Sequence, residues 1–203
     1  NDGDTLFPQN SYCMRCERGL STFDTRHRFV TSVLYDLPLG KGRAKNIENP
    51  VLNAVAGGWQ VGSIITASTG FPLTVTSGRD QSNTGAGFDR PNYNSGVDPN
   101  LSNRDPQRWF NPAAYTVQAF GTFGNVGRNT LISPSILSWD FSTLKNFRIK
   151  ESHTLQFRFE AFNAANHLNL GNPDTNVTSS NFGKITGGRG NMRELQFGAK
   201  LFF

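Results

Sequence analysis

The chain has 203 residues, with 20 Lys and Arg against 15 Asp and Glu and a formal net charge of +5. Its mean hydropathy is −0.45, and no apolar run approaches the roughly 18 residues that a membrane-spanning helix needs. This excludes a helical membrane protein. The cations are scattered rather than clustered, so we expect a solvated surface of mixed charge and no nucleic-acid partner. The chain starts at Asn1 without an initiator Met or a signal peptide, which favours a mature product or an excerpt.

Residues 1–25 predict an irregular lead-in loop that contains a lone C-x-x-C motif, Cys13 and Cys16. A thioredoxin-type redox site needs this motif at the start of a helix that follows a strand. A zinc site needs two further ligands, and His27 is the only near candidate. A local disulfide between Cys13 and Cys16 is the favoured interpretation, and it implies an oxidising compartment.

Apolar and polar residues alternate in several segments downstream, as they do in strands whose side chains point to opposite faces in turn. We expect five main strands, with no convincing helix between them, at residues 28–37, 58–69, 137–149, 154–163 and 192–203. Residues 44–57 form a connector whose structure the sequence pattern does not define. Two long loops, 78–135 and 164–191, separate the later strands, whereas residues 150–153 predict a tight reversal.

Alternation alone fits either a soluble β-sandwich or an outer-membrane barrel. A structureless connection as long as 78–135 is unusual in a compact soluble domain. Long loops on one side and short turns on the other are typical of a barrel, whose short turns lie in the periplasm. We therefore expect an all-β fold: antiparallel transmembrane β-barrel strands with long extracellular loops, here a partial barrel. The connection 38–57 is the exception, because it is long for a periplasmic turn.

In the last strand every odd position from residue 195 onward is apolar, and the last of them is aromatic: Leu195, Phe197, Ala199, Leu201 and Phe203. This resembles the C-terminal end of bacterial outer-membrane β-barrels. The resemblance implies that these residues form the assembly signal read by the barrel-insertion machinery.

Seven ordered segments carry a wider resemblance from about residue 23 to the end. They are residues 23–30, 35–40, 57–60, 127–129, 157–163, 182–185 and 193–203. Together they are similar to the C-terminal barrel of TonB-dependent outer-membrane receptors, especially the Oar-like group. The resemblance implies that residues 26–203 are the C-terminal part of a receptor barrel in the bacterial outer membrane, importing a scarce ligand.

Such receptors also have a plug domain and a TonB box, and neither is found in this sequence. A barrel with a plugged lumen takes about 22 strands, so we expect a fragment of a longer chain. The implied partners are outer-membrane lipid, the barrel-insertion machinery, an unidentified small ligand and, through the missing N-terminal parts, the TonB complex.

No catalytic motif is present: there is no G-x-S-x-G, H-E-x-x-H or phosphate-loop sequence. We therefore expect neither an enzyme nor a cofactor. The charged residues of the polar phase in the last two strands are Arg158, Glu160, Glu194 and Lys200. We expect them to face the lumen and to pair across neighbouring strands.

The alternative hypothesis is a soluble, secreted β-sandwich that binds a ligand of the carbohydrate type. Its stacking surface would be built from aromatic residues of the long loop, namely Trp109, Tyr115 and Phe120. A secreted hydrolase is a third hypothesis, for which no nucleophile or acid pair can be named.

Overall fold

The computed structural model describes residues 8–85, 87, 89–150 and 153–203. Within these residues one α-helix, α1, spans Pro50–Ala56, and short 3₁₀ helices span Met14–Glu17 and Pro112–Ala114. The strands are β1 (Arg28–Asp36), β2 (Trp59–Ser68), β3 (Pro72–Leu73), β4 (Asn92–Tyr93), β5 (Tyr115–Thr116), β6 (Leu131–Ile132), β7 (Ile136–Lys150), β8 (His153–Phe162) and β9 (Glu194–Phe202).

The chain divides into two compact units. The loop unit contains the described residues of segments 1–27, 69–136 and 169–189. The sheet unit contains residues 28–68, 137–168 and 190–203 as far as they are described. The lead-in segment thus belongs to the same unit as much of both long loops.

The sheet unit is built on a five-stranded antiparallel sheet in the order β1-β2-β7-β8-β9. The predicted all-β class and the five main strands are confirmed. β7 and β8 pair up to their adjoining ends, with Lys150 opposite His153; residues 151 and 152 of the predicted reversal lie outside the described residues. β1 and β9 are the outermost strands.

The connector between β1 and β2 differs from its prediction, because it contains α1. Pro50 occupies the first turn, and the side chain of Asn49 accepts hydrogen bonds from the backbone N–H groups of Val51 and Leu52. Proline at the first helical position and asparagine at the N-cap are both favourable start signals. They stand in a segment too short to show helical periodicity.

The long loop at residues 78–135 is irregular but not structureless. Its residues supply most of the core of the loop unit, together with Val75: Phe110, Ala114, Tyr115, Val126 and Leu131. Phe110 lies edge-to-face against Phe182 and Tyr115, with ring centroids 5.1 Å and 5.8 Å apart. The expected loop is therefore a packed, folded segment with little regular secondary structure.

Candidate functional site: a two-faced sheet and its loop unit

All odd-numbered residues of the sheet, up to a bulge near the end of β7, project from one face. Antiparallel partners lie on the same side of a sheet, and the partners in each pair have the same parity, as in Val33–Ser63 and Phe157–Ala199. The Trp139 indole donates to Ser63 Oγ at 2.9 Å, which joins the two halves. We call this the odd face. Its large apolar side chains include Phe29, Val33, Tyr35, Ile65, Trp139, Phe141, Phe147, Leu155, Phe157, Phe159, Leu195, Phe197 and Leu201.

The odd face is apolar and open. Phe197 packs against Phe159, with ring centroids 5.0 Å apart, yet it remains 67% exposed. Tyr35 and Leu201 are also exposed by about half of their surface. A continuous apolar surface of this kind marks contact with another apolar medium or partner.

The even face carries the opposite phase and is mainly polar. Its polar residues include Ser32, Gln60, Ser142, Asn146, Gln156, Arg158, Glu160, Gln196 and Lys200. Apolar residues of this face include Leu34, Ile64 and Leu144. The sheet therefore has one apolar face and one mainly polar face.

Four charged residues predicted to line a lumen all lie on the even face, but the cross-strand pairing expected for them is wrong. Arg158 lies opposite Gly198, Glu160 opposite Gln196, Glu194 opposite Phe162 and Lys200 opposite Gln156. The described ion pair among them runs along β8, with Arg158 Nη1 3.8 Å from Glu160 Oε1. The register places an uncharged residue directly opposite each charge.

Four of the five residues predicted to form an assembly signal are odd-numbered residues of β9 and therefore belong to the odd face. Leu195, Phe197, Ala199 and Leu201 belong to β9, and Phe203 follows it with 93% of its surface exposed. β9 lies at the edge of the sheet, paired with β8 alone.

One cation, Lys145, occupies the odd face, and sequence reasoning did not identify it as notable. Its side chain is 1% exposed, and Nζ donates to Val55 O at 2.7 Å and Gly57 O at 2.8 Å. The ammonium also lies 5.0 Å from the centroid of the Trp59 ring. These carbonyls end α1, so the negative end of the helix receives the cation. The only sequence signal was the broken alternation in this part of β7.

A buried ion pair organises the loop unit. Arg90 donates to both carboxylate oxygens of Glu17 at 2.7 Å, and both side chains are less than 10% exposed. Arg90 Nε also donates to Val126 O at 2.9 Å. Burial raises the pKa of Glu17, but the hydrogen bonds and charge of Arg90 outweigh it, so the net pKa lies below the ordinary 4.5.

Cys13 and Cys16 are joined by a disulfide across the first 3₁₀ helix. Arg90 Nη2 donates to Cys16 O at 3.4 Å, so the disulfide lies beside the buried ion pair. This position is structural, since the bridge holds the turn that presents Glu17.

Asp80 closes a surface turn of the loop unit. Its carboxylate accepts hydrogen bonds from Gly85 N at 2.7 Å and from Thr84 N at 3.1 Å. These hydrogen bonds, that from Gly85 first, hold the pKa of Asp80 below its usual range. The residues of this turn were not identified as notable from sequence, although Asp followed by Ser, Asn, Thr and Gly is ordinary turn chemistry.

The loop unit also contains two open grooves. One, of about 390 Å³, is lined mainly by apolar surface of Tyr93, Pro99, Tyr115, Val126 and Thr130. The other, of about 290 Å³, includes Phe23, Phe71, Asn129 and Arg189. Burial raises the pKa of Tyr115 to about 12, so this phenol stays protonated at any ordinary pH.

The aromatic residues of the carbohydrate-binding hypothesis do not form a stacking surface. Tyr115 is 6% exposed and belongs to the core, and Trp109 packs against that core with its indole donating to Ile132 O at 2.9 Å. Phe120 alone is well exposed, at 72%. Two of the three rings are therefore packed in or against the hydrophobic core of the loop unit.

In the part of the chain that the structure describes, no three His, Cys, Asp or Glu side chains are grouped to hold a metal ion. The helices among these residues are too short and too polar to cross a membrane.

A family model described as an outer membrane beta barrel domain matches residues 1–196. Comparison with curated proteins and with solved structures gives no match.

Proposed function

The chain belongs to the family of outer-membrane β-barrel domains and lies in the bacterial outer membrane, and from that premise we propose that it is part of a TonB-dependent transporter. In this proposal the sheet unit is a segment of barrel wall. The loop unit lies at the cell surface, and the assembled protein imports a scarce ligand.

The observation that carries the proposal is the division of the sheet into an apolar odd face and a mainly polar even face. A barrel wall needs an apolar band toward lipid and a polar surface toward its interior. The odd face therefore contacts lipid and the even face lines the lumen. An interior with Arg158, Glu160 and Lys200 suits a wet transport path.

The connections indicate the orientation of the wall. Outer-membrane barrels have short periplasmic turns and long extracellular loops. The turn from Lys150 to His153 is short, whereas the connections at the other ends of β2, β7, β8 and β9 are long and build the loop unit. The short-turn end is therefore periplasmic, with the connection that contains α1 on the same side.

The edges of the sheet require partner strands. β1 and β9 each have one neighbour among the described strands, and lipid does not tolerate open edges. We propose that these strands come from parts of the same protein outside this sequence. The plug and the segment that contacts the TonB complex would lie there too, and β9 would present the assembly signal to the barrel-insertion machinery.

The role we propose is binding and passage, not catalysis. The apolar groove beside Tyr93 and Tyr115 is the first place where a small ligand would meet the protein from outside. The similarity to TonB-dependent receptors, carried by the ordered segments from residue 23 onward, is what favours active import over a passive pore.

The test uses the native protein in its own membrane. Cell envelopes are fractionated and probed with an antibody against residues 192–203, and the protein is then captured after cross-linking of whole cells. We expect an outer-membrane species several times heavier than 22.4 kDa that carries a cross-link to TonB. A soluble species near that mass would overturn the barrel assignment, and a membrane species without a TonB cross-link would overturn the transporter assignment alone.

A further inference from the structure

The connection between β1 and β2 presents a small apolar surface at the short-turn end of the sheet. Val51, Leu52 and Val55 of α1 are 72%, 59% and 66% exposed. Three large apolar side chains on a seven-residue helix are unfavourable to leave in water, because burial of apolar surface is what stabilises such side chains. We call this set the α1 apolar surface.

Hydrogen bonds hold helix α1, and with it the α1 apolar surface, in a fixed place. The last turn of α1 is attached to the sheet, because Lys145 Nζ and Trp59 Nε1 both donate to Val55 O, at 2.7 Å and 2.9 Å. Asn53 Oδ1 accepts from the backbone N–H of Lys41 at 2.8 Å and links α1 to the preceding loop. Because Lys145 and Trp59 project from the odd face, α1 is attached to the lipid-facing side of the wall.

A basic groove of about 460 Å³ lies beside α1. Among its described lining residues are Lys41, Arg43 and Arg148, and that described lining contains no Asp or Glu. Arg43 Nη1 lies 3.9 Å from Asp36 Oδ2, but both side chains are about half exposed, so solvent screens the pair. The groove has a positive potential next to an apolar surface.

We propose that this groove and the α1 apolar surface bind an anionic phospholipid of the inner leaflet of the outer membrane. The headgroup phosphate contacts Lys41 and Arg43, and the acyl chains lie along Val51, Leu52 and Val55. Basic residues beside an apolar surface are the combination that attracts anionic lipid at a membrane interface. The α1 apolar surface continues the lipid-facing odd face, which favours lipid over a protein partner. The inference rests on the wall and orientation proposed above.

The experiment uses the full-length protein purified in detergent, with native mass spectrometry after addition of phosphatidylglycerol or phosphatidylcholine. Wild-type protein should retain phosphatidylglycerol preferentially. The double variant K41Q/R43Q should lose that preference by roughly fivefold for each cation removed. A matched double variant of exposed loop-unit cations, R26Q/R79Q, should behave as wild type.

A second arm tests the apolar contact and the source of the phosphate. A bimane-labelled Val55→Cys variant, reconstituted in vesicles, should be quenched by brominated phosphatidylglycerol, and inorganic phosphate should not displace the lipid. Absence of quenching would mean that another part of the protein covers α1, and displacement by phosphate would mean a free-anion site; either result overturns the inference.

The folded state is checked on the same samples by heat-modifiable mobility on a gel. A folded outer-membrane barrel whose double variant still prefers phosphatidylglycerol overturns this inference and leaves the transporter proposal intact. A protein that never enters the outer membrane overturns that proposal instead.

Discussion

Lys145 illustrates how a single residue can stand in an environment that its chemistry opposes. It lies opposite Phe157 on the apolar odd face, which contacts lipid in our proposal. The carbonyls that end α1 and the rings of Trp59 and Phe147 enclose its ammonium instead. Buried charges persist when they are hydrogen-bonded in this way.

At the same scale, a substitution on the odd face tests whether this face contacts lipid. Replacing Phe157 by Arg should block assembly, because a cation at the middle of the membrane costs about 2–4 kcal/mol. The control is Gln196→Arg on the even face, opposite Glu160, which adds the same charge and should assemble normally. Outer-membrane recovery and heat-modifiable mobility measure the outcome. Normal assembly of both variants would contradict the lipid-facing assignment.

The Glu17–Arg90 pair predicts a pH dependence of the loop unit. Because the folded state lowers the pKa of Glu17, the pair stabilises the unit fully above the ordinary pKa of 4.5, and the stabilisation is lost as pH falls below it. Glu17→Gln should reduce the stability at neutral pH by about 3–5 kcal/mol and flatten this acid limb.

Limited proteolysis of the folded protein across this pH range measures the effect on the loop unit. Glu48→Gln, at an exposed position, is the control and should keep the wild-type profile. An unchanged acid limb in Glu17→Gln would assign the pH dependence to other carboxylates.

At the scale of elements, strands were predictable and the connections were not. Period-two alternation is local, so each strand and the face of each residue followed from residues two apart, as in Leu155 and Phe157. The register is not local. The polar phases of β8 and β9 both contain charged residues, yet the pairing places Arg158 opposite Gly198. Helix α1 is seven residues long, too short for a periodic signal.

The loop unit was predictable only as irregular, because its order comes from contacts between distant residues. Gln9 accepts from Arg90 N at 2.6 Å, and its amide donates to Gly124 O at 3.1 Å. No local sequence pattern predicts such contacts. The same holds for the core, in which Val75 packs with residues up to Leu131.

A glycine at one of these contacts gives a test of packing in the loop unit. A methyl group at Gly124 would overlap the carbonyl oxygens of Arg90 and Pro91, so Gly124→Ala should lower the stability of the unit by about 1–3 kcal/mol or more. Gly187→Ala is the matched control, since a methyl group there meets nothing within 4 Å. Thermal unfolding monitored in the loop unit measures the difference, and equal stabilities would contradict the close packing of these segments.

At the scale of the whole molecule, the family and the chain topology together assign two ends to the wall. The strand ends that lead into the loop unit face the outside in our proposal, and the α1 connection faces the periplasm. Sequence favoured this orientation through loop lengths, but the 38–57 connection was an exception to the rule. Helix α1 supplies a physical reason for the length, because it encloses Lys145.

The orientation can be measured in whole cells by labelling single cysteines with a membrane-impermeant maleimide. Phe120→Cys in the loop unit should react in intact cells, because this residue is 72% exposed on the outer side of our proposal. Lys41→Cys, at an exposed position of the α1 connection, should react only after the outer membrane is permeabilised. The wild-type protein is the background control, since Cys13 and Cys16 are bonded to each other. Labelling of Lys41→Cys alone in intact cells would mean that the wall has the opposite orientation. Labelling of both variants would show that no membrane separates the two ends.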